Sequence, residues 1–144
     1  MVDYVVGFLF DDEINKVVLI QKKKPEWQKD HWNGVGGKIE HGETTIDAMV
    51  REFEEETGVH IEEEKWHHVA NILFNYGASR LSIFTAYDTE NLHNTRTQEE
   101  EVIAVWDVDN LPVKKIKNLE WIIPLCAQWD DYVDINLVLC EKSE

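Results

Sequence analysis

The chain has 144 residues, 43% of them hydrophobic and 30% charged, which suits one globular domain (1–144) with a sizeable core. Its net charge of −15, from 14 Lys+Arg against 29 Asp+Glu, argues against non-specific binding to a nucleic-acid polymer or an anionic membrane surface. An anionic small molecule is still admitted, because a bound metal ion inverts the charge locally.

Two cysteines, Cys126 and Cys140, lie in apolar surroundings without CxxC or histidine spacing, and are expected to be buried reduced thiols. No apolar run approaches the roughly 20 residues that span a bilayer, and no signal peptide follows Met1, so a cytoplasmic location is expected. The chain has no internal repeat and no low-complexity linker.

In chain order, Tyr4 to Phe10 reads as a buried strand, Asp11, Asp12 and Asn15 as a turn, and Val17 to Ile20 as a second strand. The hairpin feeds Lys22, Lys23 and Lys24, a local basic cluster that is a candidate phosphate contact. A polar loop, Pro25 to His31, contains Trp27. Next come Trp32 and Asn33, then Gly34, Gly36 and Gly37, where the backbone can turn tightly or approach a ligand. Asn33 carries both an amide donor and an acceptor, which suits a base edge.

Thr44 and Asp47 form a capping-box pattern that opens a helix, and Gly58 is placed to end it. Ile46, Met49, Val50 and Phe53 recur at i, i+3, i+4 and i+7, a core-facing stripe. Glu52, Glu55 and Glu56 share another face, roughly 120° around the axis. Like charges at i,i+4 oppose helix formation, so such a cluster calls for a counter-ion, and a hard divalent cation with oxygen ligands fits best.

Downstream, Glu62 to Glu64 reads as a solvated face and His67-His68 as surface or loop residues without ligand spacing. Val69 to Tyr76 and Leu81 to Tyr87 read as strands around a Gly77-Ala78-Ser79 hairpin loop. Asp88 to Gln98 reads as a long polar loop, and Val102 to Val108 as a strand closed by Asn110-Leu111-Pro112. Asn118 to Trp129 reads as an amphipathic helix in which Pro124 implies a kink or a later start. Tyr132 to Glu141 reads as a final strand, and Trp106, Trp121 and Trp129 as core. Strands alternating with two helices imply an α+β or α/β sandwich.

The stretch from Gly37 through Glu43 to Arg51, Glu52, Glu54, Glu55, Glu56 and Gly58 resembles the box of the Nudix hydrolases, with every fixed position filled. The resemblance implies an α/β/α sandwich with a mixed central sheet, the box forming a loop–helix–loop. It implies metal binding, Mg²⁺ with Mn²⁺ able to substitute, by Glu52, Glu55, Glu56 and the Gly36 carbonyl, with Glu101 as an added carboxylate. Arg51 would pair with Glu43, and either Glu56 or Glu55 would act as the base.

The segment from Trp32 to Lys38 is similar to the subgroup that hydrolyses oxidised purine nucleoside triphosphates. There the residues matching Asn33 and Trp27 meet the base and the one matching Lys23 lies near the phosphates; Lys38 is a further expected substrate contact. Lys115 to Leu119 departs from that subgroup, lacking its aromatic platform and paired aspartates. Nucleoside triphosphate hydrolysis to monophosphate and pyrophosphate is therefore better supported than selectivity for 8-oxoguanine. ADP-ribose or dinucleoside polyphosphate hydrolysis, and an inactive nucleotide sensor, are the alternatives. The expected partner is a small-molecule nucleotide rather than a polymer or a membrane, bound by a monomer or homodimer.

Overall fold

The computed structural model describes residues 2–129 and 137–140. Strand β1 (Val2–Phe10) lies at its centre, and its alternation divides the core in two. Val5 and Leu9 face one side, while Val6, Phe8 and Phe10 face the other. Strand β2 (Lys16–Gln21) repeats the division, with Val18 and Ile20 on the first side and Val17 and Leu19 on the second. Both strands read as continuous apolar runs because both of their faces are covered.

The first face is covered by helix α1 (Thr45–Thr57) through Met49 and Phe53, with the Phe53 ring 5.3 Å from that of Trp66 in an edge contact. The second is covered by helix α3 (Leu119–Ala127) through Leu119, Ile122, Ile123 and Cys126. The result is an α/β/α sandwich.

The sheet is mixed. The other strands are β3 (Trp32–Asn33), β4 (Val35–Lys38), β5 (His67–Phe74), β6 (Ser79–Tyr87), β7 (Val102–Asp107) and β8 (Leu137–Cys140). Their order is β3-β2-β1-β6-β5-β8, with β4 added to β1 and β7 to β2. β1 runs parallel to β6 from Val2↔Ser79 to Phe10↔Tyr87 and antiparallel to β4 from Tyr4↔Lys38 to Gly7↔Val35.

Several expectations are corrected. The hairpin turn after β5 lies earlier than expected: Asn75 and Tyr76 adopt positive φ, and β6 already begins at Ser79. His67 and His68 belong to β5 rather than to a loop, with His68 at the surface as expected and its ring stacked 4.8 Å from Phe84. The polar stretch read as a loop contains a third helix, α2 (Thr89–Asn94), because the Asp88 carboxylate caps it by accepting from the Asn91 N–H and Leu92 is fully buried beneath it.

Pro124 sits inside α3 rather than before it. Cys126 is buried as expected, but Cys140 is exposed. Trp106, Trp121 and Trp129 pack against the α3-side core. The expected strand from Tyr132 to Glu141 is seen over Leu137–Cys140, and the rest of it lies outside the described residues. Among the described residues no helix is long and apolar enough to cross a membrane.

Phe53 has no exposed surface and joins α1 to the sheet. Phe53→Ala is expected to destabilise the domain by about 3–5 kcal/mol in urea unfolding. A loss below about 1 kcal/mol would contradict its place at the centre of this packing.

Candidate active site on helix α1

The Thr44 hydroxyl accepts from the Asp47 N–H to open α1, and Gly58 closes it in the left-handed conformation at φ 77°, its N–H donating to the Glu54 carbonyl. These caps set the phase of the helix. With Met49 and Phe53 turned inward, Glu52 and Glu56 are half-buried at the edge of the sheet while Glu54 and Glu55 are exposed. The glycine run lets the sheet come close. A Cβ on Gly36 would lie 1.9 Å from the Val5 carbonyl oxygen, and one on Gly37 would lie 2.6 Å from the Glu52 carboxylate. β4 can therefore carry its backbone directly against an acidic helix face.

Arg51 is the hub of this arrangement. Its Nε and Nη2 donate to the two oxygens of Glu43 at 2.6 and 2.9 Å, the expected pairing in its bidentate form. Its Nη1 donates to Glu52 Oε1 at 2.9 Å and to Glu55 Oε2 at 3.2 Å, and Nη2 reaches the Lys38 carbonyl at 3.2 Å. Glu43 also accepts from the Glu40 N–H, closing the loop before the helix. The hydrogen bond from Arg51 holds the Glu43 carboxyl below its usual range. Burial pushes Glu52 above it, against the opposing hydrogen bond from Arg51.

Glu56 differs from its neighbours. Its Oε2 is buried and, in this structure, has no hydrogen-bond partner. Burial, then the charges of Glu99, Glu101 and Glu52, push its carboxyl up to about 7. Glu101, at the start of β7, accepts from Lys22 Nζ at 3.1 Å through one oxygen and from the Lys23 N–H at 2.6 Å through the other.

Two residues were not assigned to the acidic set from the sequence, where Lys22 was read only as one of three lysines forming a candidate phosphate contact. Lys22, rather than Lys23, aims its ammonium into the acidic set. The signal was strand alternation, since Lys22 shares a face with Ile20, which packs toward α1. Glu99 was the other, two residues before Glu101 in the same acidic run.

Among the described residues, no three histidine, cysteine or carboxylate side chains already sit together at metal-holding spacing. The donor chemistry nevertheless fits a hard divalent cation. The groups are all carboxylates, Glu56 presents a buried oxygen without a partner, and Glu52 and Glu55 each leave one oxygen outside Arg51's grasp.

Of the expected substrate contacts, Asn33 is fixed on β3: its Oδ1 accepts from the Gly34 N–H and its Nδ2 donates to Gln28 Oε1 at 3.3 Å. Trp27 lies on the neighbouring 3₁₀ turn (Glu26–Gln28) and is 68% exposed. Lys23 and Lys38 project into solvent. An open cleft of about 960 Å³ runs along the outer flank of α1, bounded by Asp47, Arg51, Glu54, Glu55 and Glu99; Asn33, Lys23 and Trp27 do not line it.

A family model described as the NUDIX domain matches residues 2–125. The "Oxidized purine nucleoside triphosphate hydrolase" of Mus musculus is 34% identical over 97 residues, which are 66% of this chain and 61% of that protein. The chain thus matches about three-fifths of that relative's length. A MutT protein from Bacillus halodurans superposes with a TM-score of 0.70 at 20% identity, over 99% of this chain and 91% of that one. An ADP-ribose pyrophosphatase from Streptococcus suis superposes with a TM-score of 0.67 at 17% identity, over 97% of this chain and 98% of that one. At these identities the two structures establish the fold. The family model and the acidic helix it covers establish that the chain belongs to the Nudix hydrolase family.

Proposed function

We propose that this protein hydrolyses nucleoside triphosphates to nucleoside monophosphate and pyrophosphate, using a divalent cation held by Glu52, Glu55, Glu56 and the Gly36 carbonyl, with Glu101 adjacent. The observation that carries this reading is the buried, unpartnered Glu56 oxygen beside Glu52, Glu99 and Glu101, a concentration of carboxylates that a bound divalent cation would neutralise. When bound, Mg²⁺ would neutralise phosphate oxygens and lower the pKa of an attacking water.

The chain's own residues do the remaining work. Arg51 locks Glu43 and the loop from Lys38 to the helix start, so the carboxylates present one fixed face. Glu56 or Glu55 takes the proton from the attacking water. Asn33 reads a base edge, Trp27 offers an aromatic face, and Lys23 and Lys38 supply charge for the outer phosphates. Oxidised purine triphosphates are candidate substrates through the activity for which the murine relative is named. The net charge of −15 favours a free nucleotide over a polymer and accords with a cytoplasmic protein acting as monomer or homodimer.

The deciding experiment is turnover of a panel of canonical and oxidised (d)NTPs, ADP-ribose and dinucleoside polyphosphates with Mg²⁺. Pyrophosphate release from triphosphates is expected, and no turnover of any member would favour a sensor. Glu56→Gln is expected to lower kcat by about 10²–10⁴-fold while thermal unfolding remains cooperative, the range spanned by loss of a general base. Near-normal kcat in that variant would remove Glu56 from the mechanism. Chelation of divalent cations is expected to abolish turnover reversibly, with activity returning on addition of Mg²⁺ or Mn²⁺.

A linked effect concerns stability without metal. Glu56 titrates at about 7 in the folded chain against 4.5 as its ordinary value, so the folded state binds the proton more tightly. That contribution is fully present below the ordinary value and is lost as pH rises through the folded one. In chelator, the Tm difference between Glu56→Gln and the parent is therefore expected to grow in the variant's favour from roughly pH 5 to roughly pH 8. A difference independent of pH would show that Glu56 is not under this repulsion.

A further inference from the structure

Half of the chain's 14 Lys+Arg residues fall in two short stretches: Lys22, Lys23, Lys24 and Lys29 in one, Lys114, Lys115 and Lys117 in the other. They are far apart in sequence, and the sheet brings them together. Gln21 pairs with Trp32, and Trp32 forms a parallel bridge with Lys115. The Trp32 N–H donates to the Lys114 carbonyl, and the Ile116 N–H donates to the Trp32 carbonyl. Two inter-strand steps place the lysine runs on the order of 10 Å apart, on either side of the strand that carries Asn33.

Lys22 is engaged by Glu101 and Lys115 by Glu120. Lys23, Lys24, Lys29, Lys114 and Lys117 are exposed, and none of them has an ion-pair partner among the described residues. Glu26 lies within the first stretch and Asp30 directly after it, and the second has no acid before Glu120. The exposed Trp27 indole stands between Lys24 and Lys29. In a chain of net charge −15, five exposed ammonium groups without an ion-pair partner, on two stretches joined through Trp32, form a concentrated positive surface.

A triphosphate engaged by the α1 carboxylates and their cation presents a neutral base toward β3. Such a ligand leaves Lys29, Lys114 and Lys117 with nothing to meet. We propose that this lysine rim is a second phosphate subsite, which takes a nucleotide bearing a further phosphate on its nucleoside side, remote from the scissile anhydride. The placement of the nucleoside against β3 rests on the function proposed above. The shared chemistry is a phosphomonoester or phosphodiester on the ribose, and it has two sources: a ribose-phosphorylated mononucleotide or a second linked nucleotide. A long polymer is disfavoured, because the acidic flank of α1 would repel its continuation.

The test is a binding measurement that needs no hydrolysis. Isothermal titration would compare AMP, adenosine 3′,5′-bisphosphate, the dinucleotide pApA and a single-stranded RNA of about twenty nucleotides. The comparison is repeated with Lys29→Ser/Lys114→Ser/Lys117→Ser, whose positions are all exposed. The bisphosphate or pApA is expected to bind about tenfold tighter than AMP, the contribution of one or two charge-assisted hydrogen bonds, and the tighter of the two identifies the source. That preference should weaken with salt and vanish in the triple variant, while triphosphate turnover stays within about twofold of the parent.

Equal affinity for AMP, the bisphosphate and pApA, or a preference that survives in the variant, would overturn the subsite. So would RNA binding more than about tenfold tighter than pApA, which would assign the rim to a polymer. If no protein turns over any triphosphate, the proposed reaction fails while the binding comparison still decides the rim.

Discussion

The site depends on the guanidinium of Arg51. Its planar fork is satisfied on one edge by both oxygens of Glu43, which comes from the loop, and on the other by Glu52 and Glu55, which come from its own helix. A lysine could not hold this arrangement, because one ammonium offers neither the parallel pair of donors nor the reach to a second carboxylate. The fork converts mutual repulsion among the glutamates into a fixed geometry. It also explains why Glu43 and Glu52 depart from the ordinary carboxylate range in opposite directions: Glu43 is dominated by its hydrogen bond from Arg51, Glu52 by its burial.

Around that fork the sheet acts as a spacer with two distinct faces. Alternation along β1 and β2 assigns one set of side chains to α1 and the other to α3. The same alternation directs Lys22 toward the acidic set, while Trp32 joins Trp106 in the opposite core at a ring separation of 5.1 Å. β3 is only two residues long, yet it links these regions, since its neighbours on either side carry the two lysine runs.

The elements legible in the sequence were those with strong periodicity and explicit boundaries. α1 has a cap at each end, a four-member apolar stripe and a carboxylate face, and each of these features has a structural counterpart. The apolar runs of β1 and β2 were equally plain. α2 was not legible, because a six-residue helix in a polar stretch rests on one buried leucine and one capping aspartate, too few positions to establish a period. The pairing of Arg51 with Glu43 followed from the family resemblance. Its further bonds to Glu52 and Glu55 depend on rotamers that spacing does not encode. The choice between Lys22 and Lys23 turned on strand phase, which the resemblance alone did not supply. Cys140 looked buried because its neighbours are apolar, but it lies exposed in β8 near the end of the described chain.

The parallel pairing of β1 with β6 joins residues 77 positions apart, and Lys22 reaches Glu101 across 79. Contacts this distant in sequence require a long loop to close before they return any stabilisation, which slows folding. During synthesis, the acidic helix and its arginine emerge well before β6, the parallel neighbour of β1, and before the start of β7. The box can thus form its local ion pairs early, but the surroundings that bury Glu56 are complete only when the second half of the chain has docked. Catalytic competence is thereby tied to completion of the fold, and a truncated or partly folded chain carries the signature residues without the environment that gives them their chemistry.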